Sequence, residues 1–261
     1  MKNLFFGIIA TVCFTSISFS QSINVNTIGD FHNVQMEKYY EKLKTFTETE
    51  GKEKITQSDF KLLFKEVLIS VYGNENPSIV NESLEGFDNC FGKTSIEIAD
   101  LSINKIQSAN YKNEELKLFL INTINDCKVL EFEKSKSYFD NKIIEANKKF
   151  EDKDLEIALS TLNTGKASFN YWEENYSKWH LLFNDSSTSA SRGGAVRAGR
   201  AIGAADCAGF CGGALWGAMG GTAFLPGVGT VTGALAVGCA NGMYASVVAG
   251  LGCAFLSLFG G

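Results

Sequence analysis

Gly209-Phe210-Cys211-Gly212-Gly213-Ala214-Leu215-Trp216-Gly217-Ala218-Met219-Gly220-Gly221 is the stretch that decides how this chain folds. A glycine returns at every fourth position: Gly209, Gly213, Gly217 and Gly221. That spacing lines residues up on one face of an α-helix. Past Pro226-Gly227 a second small-residue series follows: Ala234, Gly238, Gly242, Ser246, Gly250 and Ala254. Gly229 and Gly233 stand at the same spacing just before it. The pattern predicts two helices, about Ala195–Phe224 and Val228–Phe259, joined by a turn at Pro226. Bare helix faces let backbones approach closely, which is the packing logic of membrane helix pairs. No charged residue follows Asp206.

Each of the two segments exceeds the ~18–20 residues of a transmembrane helix. They differ in driving force. The first offers few large apolar residues, about −2 kcal/mol of insertion energy, and Asp206 cancels that unless it stays at the interface. The second offers on the order of −5 kcal/mol and is expected to insert on its own. Arg192, Arg197 and Arg200 precede the first helix and suit anionic headgroups. They stand against the positive-inside bias for an ordinary inner-membrane hairpin behind a signal peptide, so the expectation is export first and insertion from outside.

Working outward, the other end of the chain reads as a signal peptide over residues 1–20. Lys2 supplies the positive charge, Leu4–Ser20 is apolar or hydroxylated, and Ser18-Phe19-Ser20 ends it in small residues. The alternative is an anchor that stays on. The net charge is −5 for 261 residues. With +1 in the first twenty residues and +2 from Ser186 onward, Gln21–Asp185 carries −8. An acidic, lysine-rich region of this kind has no basic patch for nucleic acid. The domain organisation expected is 1–20 signal peptide, 21–184 acidic helical domain, 185–194 Ser/Gly-rich linker and 195–261 hydrophobic hairpin.

The acidic domain shows helical periodicity throughout, so the fold class expected is all-α, a bundle-like N-terminal domain followed by the Gly-rich hairpin. Helices are expected over Phe31–Glu50, ended by Gly51; from Ser58 or Asp59 to Gly73; from Pro77 as a first helical position; and over Ser95–Ser108. Asn113–Phe150 reads as one long helix with a weak point at Glu131–Ser137. The last, Asp154–Phe183, bears the aromatic stripe Phe169, Trp172, Tyr176, Trp179 and Phe183. Its plain reading is core packing. Gly165 costs that helix about 1 kcal/mol against alanine.

Six cysteines remain after a signal peptide is removed: Cys90, Cys127, Cys207, Cys211, Cys239 and Cys253. An even number in an exported chain marks them as candidate disulfide partners. Cys90 and Cys127 lie on apolar stripes and either pair or stay buried thiols. A fold at Pro226 sets Cys211 opposite Cys239, yet Cys211 lies about 200° from the glycine stripe. Both contacts do not fit one simple hairpin, so the glycines face either the partner helix or another subunit.

The residues of catalysis are missing. His32 and His180 have no second ligand three or four positions away, and no nucleophile elbow, metalloprotease motif or phosphate-cradling loop occurs. The acidic clusters Asp152/Asp154/Glu156 and Glu173/Glu174 read as solvated helix faces. The expectation is a protein that is not an enzyme, with no cofactor, metal site or small-molecule substrate.

The serial Gly-x-x-x-Gly pattern of Gly209–Gly221, Gly229–Gly233 and Gly238–Gly242 resembles that of glycine-zipper membrane proteins. It is also similar to the two-peptide bacteriocins, and Arg192-Gly193-Gly194 resembles their double-glycine processing site. The cysteine-rich apolar tail resembles the halocin-type bacteriocins, which are made as long precursors. The resemblance covers about a quarter of the chain. It implies membrane lipid as a partner, self-association through the tail, and residence in the cell-envelope membrane or secretion. Two functions follow as expectations: an envelope anchor or self-assembly module, and a bacteriocin-like or pore-forming antimicrobial precursor.

Overall fold

A computed structural model describes residues 24–51, 55–72, 77–183, 192–224 and 230–258. Residues 1–20, expected to be a signal peptide, lie outside these, as do most of the linker and the turn at Pro226. Every regular element among the described residues is an α-helix, so the chain is all-α.

Local chemistry accounts for the ends. α1 (Ile28–Glu50) stops at Gly51, whose φ of 91° is open to glycine and whose N–H bonds back to Thr47. α2 (Gln57–Tyr72) starts beside Thr56, which exchanges hydrogen bonds with Asp59. α3 (Pro77–Cys90) begins on its proline, where a missing N–H costs nothing. α4 (Ser95–Ser108) opens with a capping box between Thr94 and Glu97. The long helix expected over Asn113–Phe150 is two helices, α5 (Glu114–Cys127) and α6 (Phe132–Lys149). A tight turn at Lys128–Leu130 parts them, with the exposed Val129 at its tip. The break falls just ahead of the charged run and lets α5 and α6 pack on different neighbours.

α7 (Asp152–Phe183) runs through Gly165 without a break. The glycine is needed for space. A Cβ there would lie 2.8 Å from the Phe139 ring and 3.1 Å from the Cys207 sulfur. α8 (Arg192–Phe224) begins three residues earlier than expected, taking Arg192, Gly193 and Gly194 out of the linker. α9 is Thr230–Leu258.

α8 and α9 pack antiparallel, and their shared face is made by glycine. A Cβ on Gly209 would sit 2.6 Å from the Ala245 Cβ and from the Asn241 carbonyl. One on Gly213 would meet the Asn241 Cβ at 2.6 Å and the Val237 carbonyl at 2.8 Å. From the other side, Gly238 receives Phe210 and Ala214, and Gly242 receives Asp206. Gly217 is buried, and Gly221 and Gly233 lie within α8 and α9; Gly229 is outside the described residues.

The other helices close around this pair. α8 also packs on α7, α4 and α5, and α9 on α3, α7, α1 and α4. Residues 202–215 and 235–249 are buried without exception. Glycine works here too. Gly199 and Gly203 admit the rings of Phe132 and Phe169, and Gly86 of α3 leaves room for Tyr244. The aromatic stripe of α7 turns the same way, with Phe169, Trp172 and Trp179 buried. One apolar core therefore runs through residues of both the acidic region and the tail.

Crowding at the seam is directly testable. Gly209→Ala and Gly213→Ala should each lower unfolding free energy by about 1–3 kcal/mol through overpacking. Gly212→Ala, whose new Cβ would stand 3.6 Å from Ser102, should be neutral or gain up to ~1 kcal/mol from helix propensity. Urea unfolding of the three variants checks the contrast.

Candidate functional site

Asp206 is the last charged residue of the chain and is completely buried. An isolated carboxylate is far too costly in such a place. Its partners come from helices outside the α8/α9 pair. His32 Nε2 of α1 stands 2.9 Å from Oδ1, and the Ser168 hydroxyl of α7 donates to Oδ2. Gly242 of α9 backs the carboxylate, since a Cβ there would lie 3.0 Å from Oδ1.

His32 is itself fully buried, with its Nδ1 3.2 Å from Asn33 Oδ1. Both ring nitrogens thus face oxygen acceptors, which suits the doubly protonated imidazolium. Burial pushes the His32 pKa down, but the Asp206 charge and hydrogen bond, helped by Asn33, outweigh it and raise the pKa above the usual 6.5. Cys207 and Cys239 also lie within electrostatic reach of Asp206.

Further polar ties join the α8/α9 pair to the surrounding helices. Tyr72 Oη of α2 donates to the Ala236 carbonyl at 3.2 Å. Trp172 Nε1 of α7 donates to Ser246 Oγ at 3.2 Å, and Lys153 Nζ to the Ala218 carbonyl at 2.5 Å. Gln35 Nε2, Thr164 Oγ1 and Asn241 Nδ2 are buried and find no hydrogen-bond partner among the described residues. The pair is therefore held by a few side-chain bonds laid over an apolar contact.

The structure places five of the six candidate disulfide cysteines. Cys90, Cys127, Cys207, Cys211 and Cys239 are free, buried thiols. Cys90 lies at the end of α3 and does not meet Cys127, because Cys127 points into α8, its sulfur 3.7 Å from that of Cys207. Cys211 does not meet Cys239 because the glycine face of α8 is turned to α9. Cys211 points to Thr161 and Cys207, and Cys239 to the Ile28 carbonyl at 3.9 Å. Cys253 lies within α9, Gly250 packs against Trp172, and Arg192, Arg197 and Arg200 occupy the first turns of α8.

A polar surface depression of about 480 Å³ lies where the α4–α5 and α6–α7 turns meet. Its Asp154 already accepts hydrogen bonds from Tyr111 and Asn113. Among the described residues no group of three or more His, Cys, Asp or Glu side chains is placed to hold a metal. Among them, too, no helix is long and apolar enough to cross a membrane. Compared with known protein families, curated proteins and solved structures, the chain matches none.

Sequence reasoning missed His32, Ser168 and Trp172 as partners of the tail. A lone charge in an apolar helix was the available signal, since it demands a buried counter-charge, and His32 heads a helix with an apolar face. Two outcomes follow. His32→Leu should cost about 3–5 kcal/mol by stranding the carboxylate, and adding Asp206→Asn should recover much of that loss. Because the folded pKa of His32 is raised, its stabilisation is complete below pH 6.5 and lost as pH rises through the raised value. Urea midpoints across pH 6–9 should fall for the wild type more steeply than for His32→Leu.

Proposed function

We propose that this is an exported, non-enzymatic protein in which α1–α7 form a sheath around a membrane-active hairpin, α8–α9. On this reading the hairpin leaves the sheath, enters or lies on a membrane, and serves there as an envelope anchor or self-assembly module. One observation carries the reading. The two helices meet through glycine faces of their own, whereas the hairpin's last charge is neutralised by a histidine belonging to the sheath. The seam therefore keeps its packing if the sheath withdraws, as close backbone contact is what holds helices together in lipid. The carboxylate then needs the interface or a proton, because mid-membrane burial costs it about 2.5–3.5 kcal/mol. Arg192, Arg197 and Arg200 at the start of α8 would meet anionic headgroups.

The second reading is a pore-forming or bacteriocin-like factor, and the completeness of the cover favours it. An anchor made at its own membrane has no need to travel through water. A protein that reaches its target through water must hide surfaces such as residues 202–215 and 235–249, and these are all buried.

Flotation with phosphatidylglycerol vesicles tests both. The full chain should float with the lipid, His32→Leu should float more readily, and high salt should weaken both. Release of an entrapped dye along with flotation would support the pore reading, and flotation without release the anchor. If neither protein floats under any of these conditions, membrane activity is contradicted.

A further inference from the structure

We propose that Cys127 and Cys207 are a dithiol oxidation site whose disulfide ties the hairpin to its sheath. The two sulfurs lie 3.7 Å apart on helices of different units, α5 and α8, and both residues are buried. A disulfide requires them to close to about 2.05 Å. α7 presents Gly165 at this point, where any larger residue would press on the Cys207 sulfur.

Competing pairings are poorer. Cys207 and Cys211 are one turn apart on a single helix, where Cβ atoms stand about 5–6 Å apart. A disulfide needs about 3.5–4.5 Å. Cys239 faces a backbone carbonyl instead of a thiol. The hydrogen bond between the two sulfurs pushes the Cys127 thiol up and the Cys207 thiol down, to about 5. Both sulfurs are buried, so reaction belongs to folding, or to transient opening, when an oxidant can reach them.

The oxidant is a small-molecule disulfide such as oxidised glutathione. One protein thiolate attacks it, forming a mixed disulfide and expelling one glutathione thiolate. The second protein thiolate then attacks the protein sulfur, closing the Cys127–Cys207 bond and expelling the second glutathione. The two protons lost by the protein thiols end on the two glutathione thiols, and glutathione disulfide is reduced as the dithiol is oxidised. The closed bond is shielded from reductants by the same burial. Only its consequence, that an oxidised protein keeps its hairpin while a reduced one can release it, rests on the membrane reading above.

The experiment is refolding of the full chain with a glutathione redox couple, alkylation of free thiols and peptide mapping without reduction. The expected result is one cross-linked pair joining the Cys127 and Cys207 peptides, absent in Cys127→Ser and retained in Cys211→Ser. Hydrogen exchange in α8 should then be about tenfold or more slower in the oxidised wild type than in the reduced, with no such difference in Cys127→Ser. Full alkylation of Cys127 and Cys207 after oxidative refolding, or a bridge from Cys207 to another cysteine, would overturn the site. A correct bridge with unchanged exchange in α8 would overturn the tie. Neither readout uses a membrane, so failure here is distinct from failure to float with vesicles.

Discussion

A buried carboxylate on a helix built to be bare is the constraint on which the structure turns. α8 owes its close contact with α9 to glycines, and glycine supplies neither charge nor hydrogen bonds from a side chain. Asp206 therefore has to be answered from outside the pair, and His32 and Ser168 do so from α1 and α7. Their position fixes how those two helices lie on the pair. Buried ion pairs of this kind add little net stability over apolar packing, but losing one partner is severe. The pair thus sets which arrangement is tolerated more than how stable the whole is.

α8 serves two masters through two glycine faces. Gly209 and Gly213 admit the backbone of α9, whereas Gly199 and Gly203 admit Phe132 and Phe169. From Gly203 to Gly209 is six residues, about 240° around a helix, so the two faces point in different directions. The seam is internal to the pair, while the aromatic contacts belong to the surrounding helices. The aromatic contacts lie outside the seam. This separation is what lets one sequence act as the core of a helical protein and, on the proposed function, as a pair with its own cohesion in lipid.

Much of the fold was legible. Helix ends followed local chemistry at Gly51 and Pro77, and helical periodicity marked the acidic region as all-α. The division between α5 and α6 was half legible, since a weakened pattern marks a bend without saying that the chain turns away. Gly165 misled as a propensity cost because its reason is the space taken by Phe139 and the Cys207 sulfur, which only long-range packing defines. The cysteines show the same limit. Cys90 and Cys127 each sit on a buried face, but local periodicity says nothing about which helix that face meets. The site was least legible of all. Asp206 announced a need for a partner, yet no local pattern connects it with His32 or Ser168.

The most direct test of the central claim is the titration of His32 followed by nuclear magnetic resonance of its imidazole nitrogens. The ring should titrate above 6.5, with both nitrogens protonated at pH 6 and Asp206→Asn lowering the midpoint. A neutral His32 ring at pH 6, or a midpoint unmoved by Asp206→Asn, would contradict it.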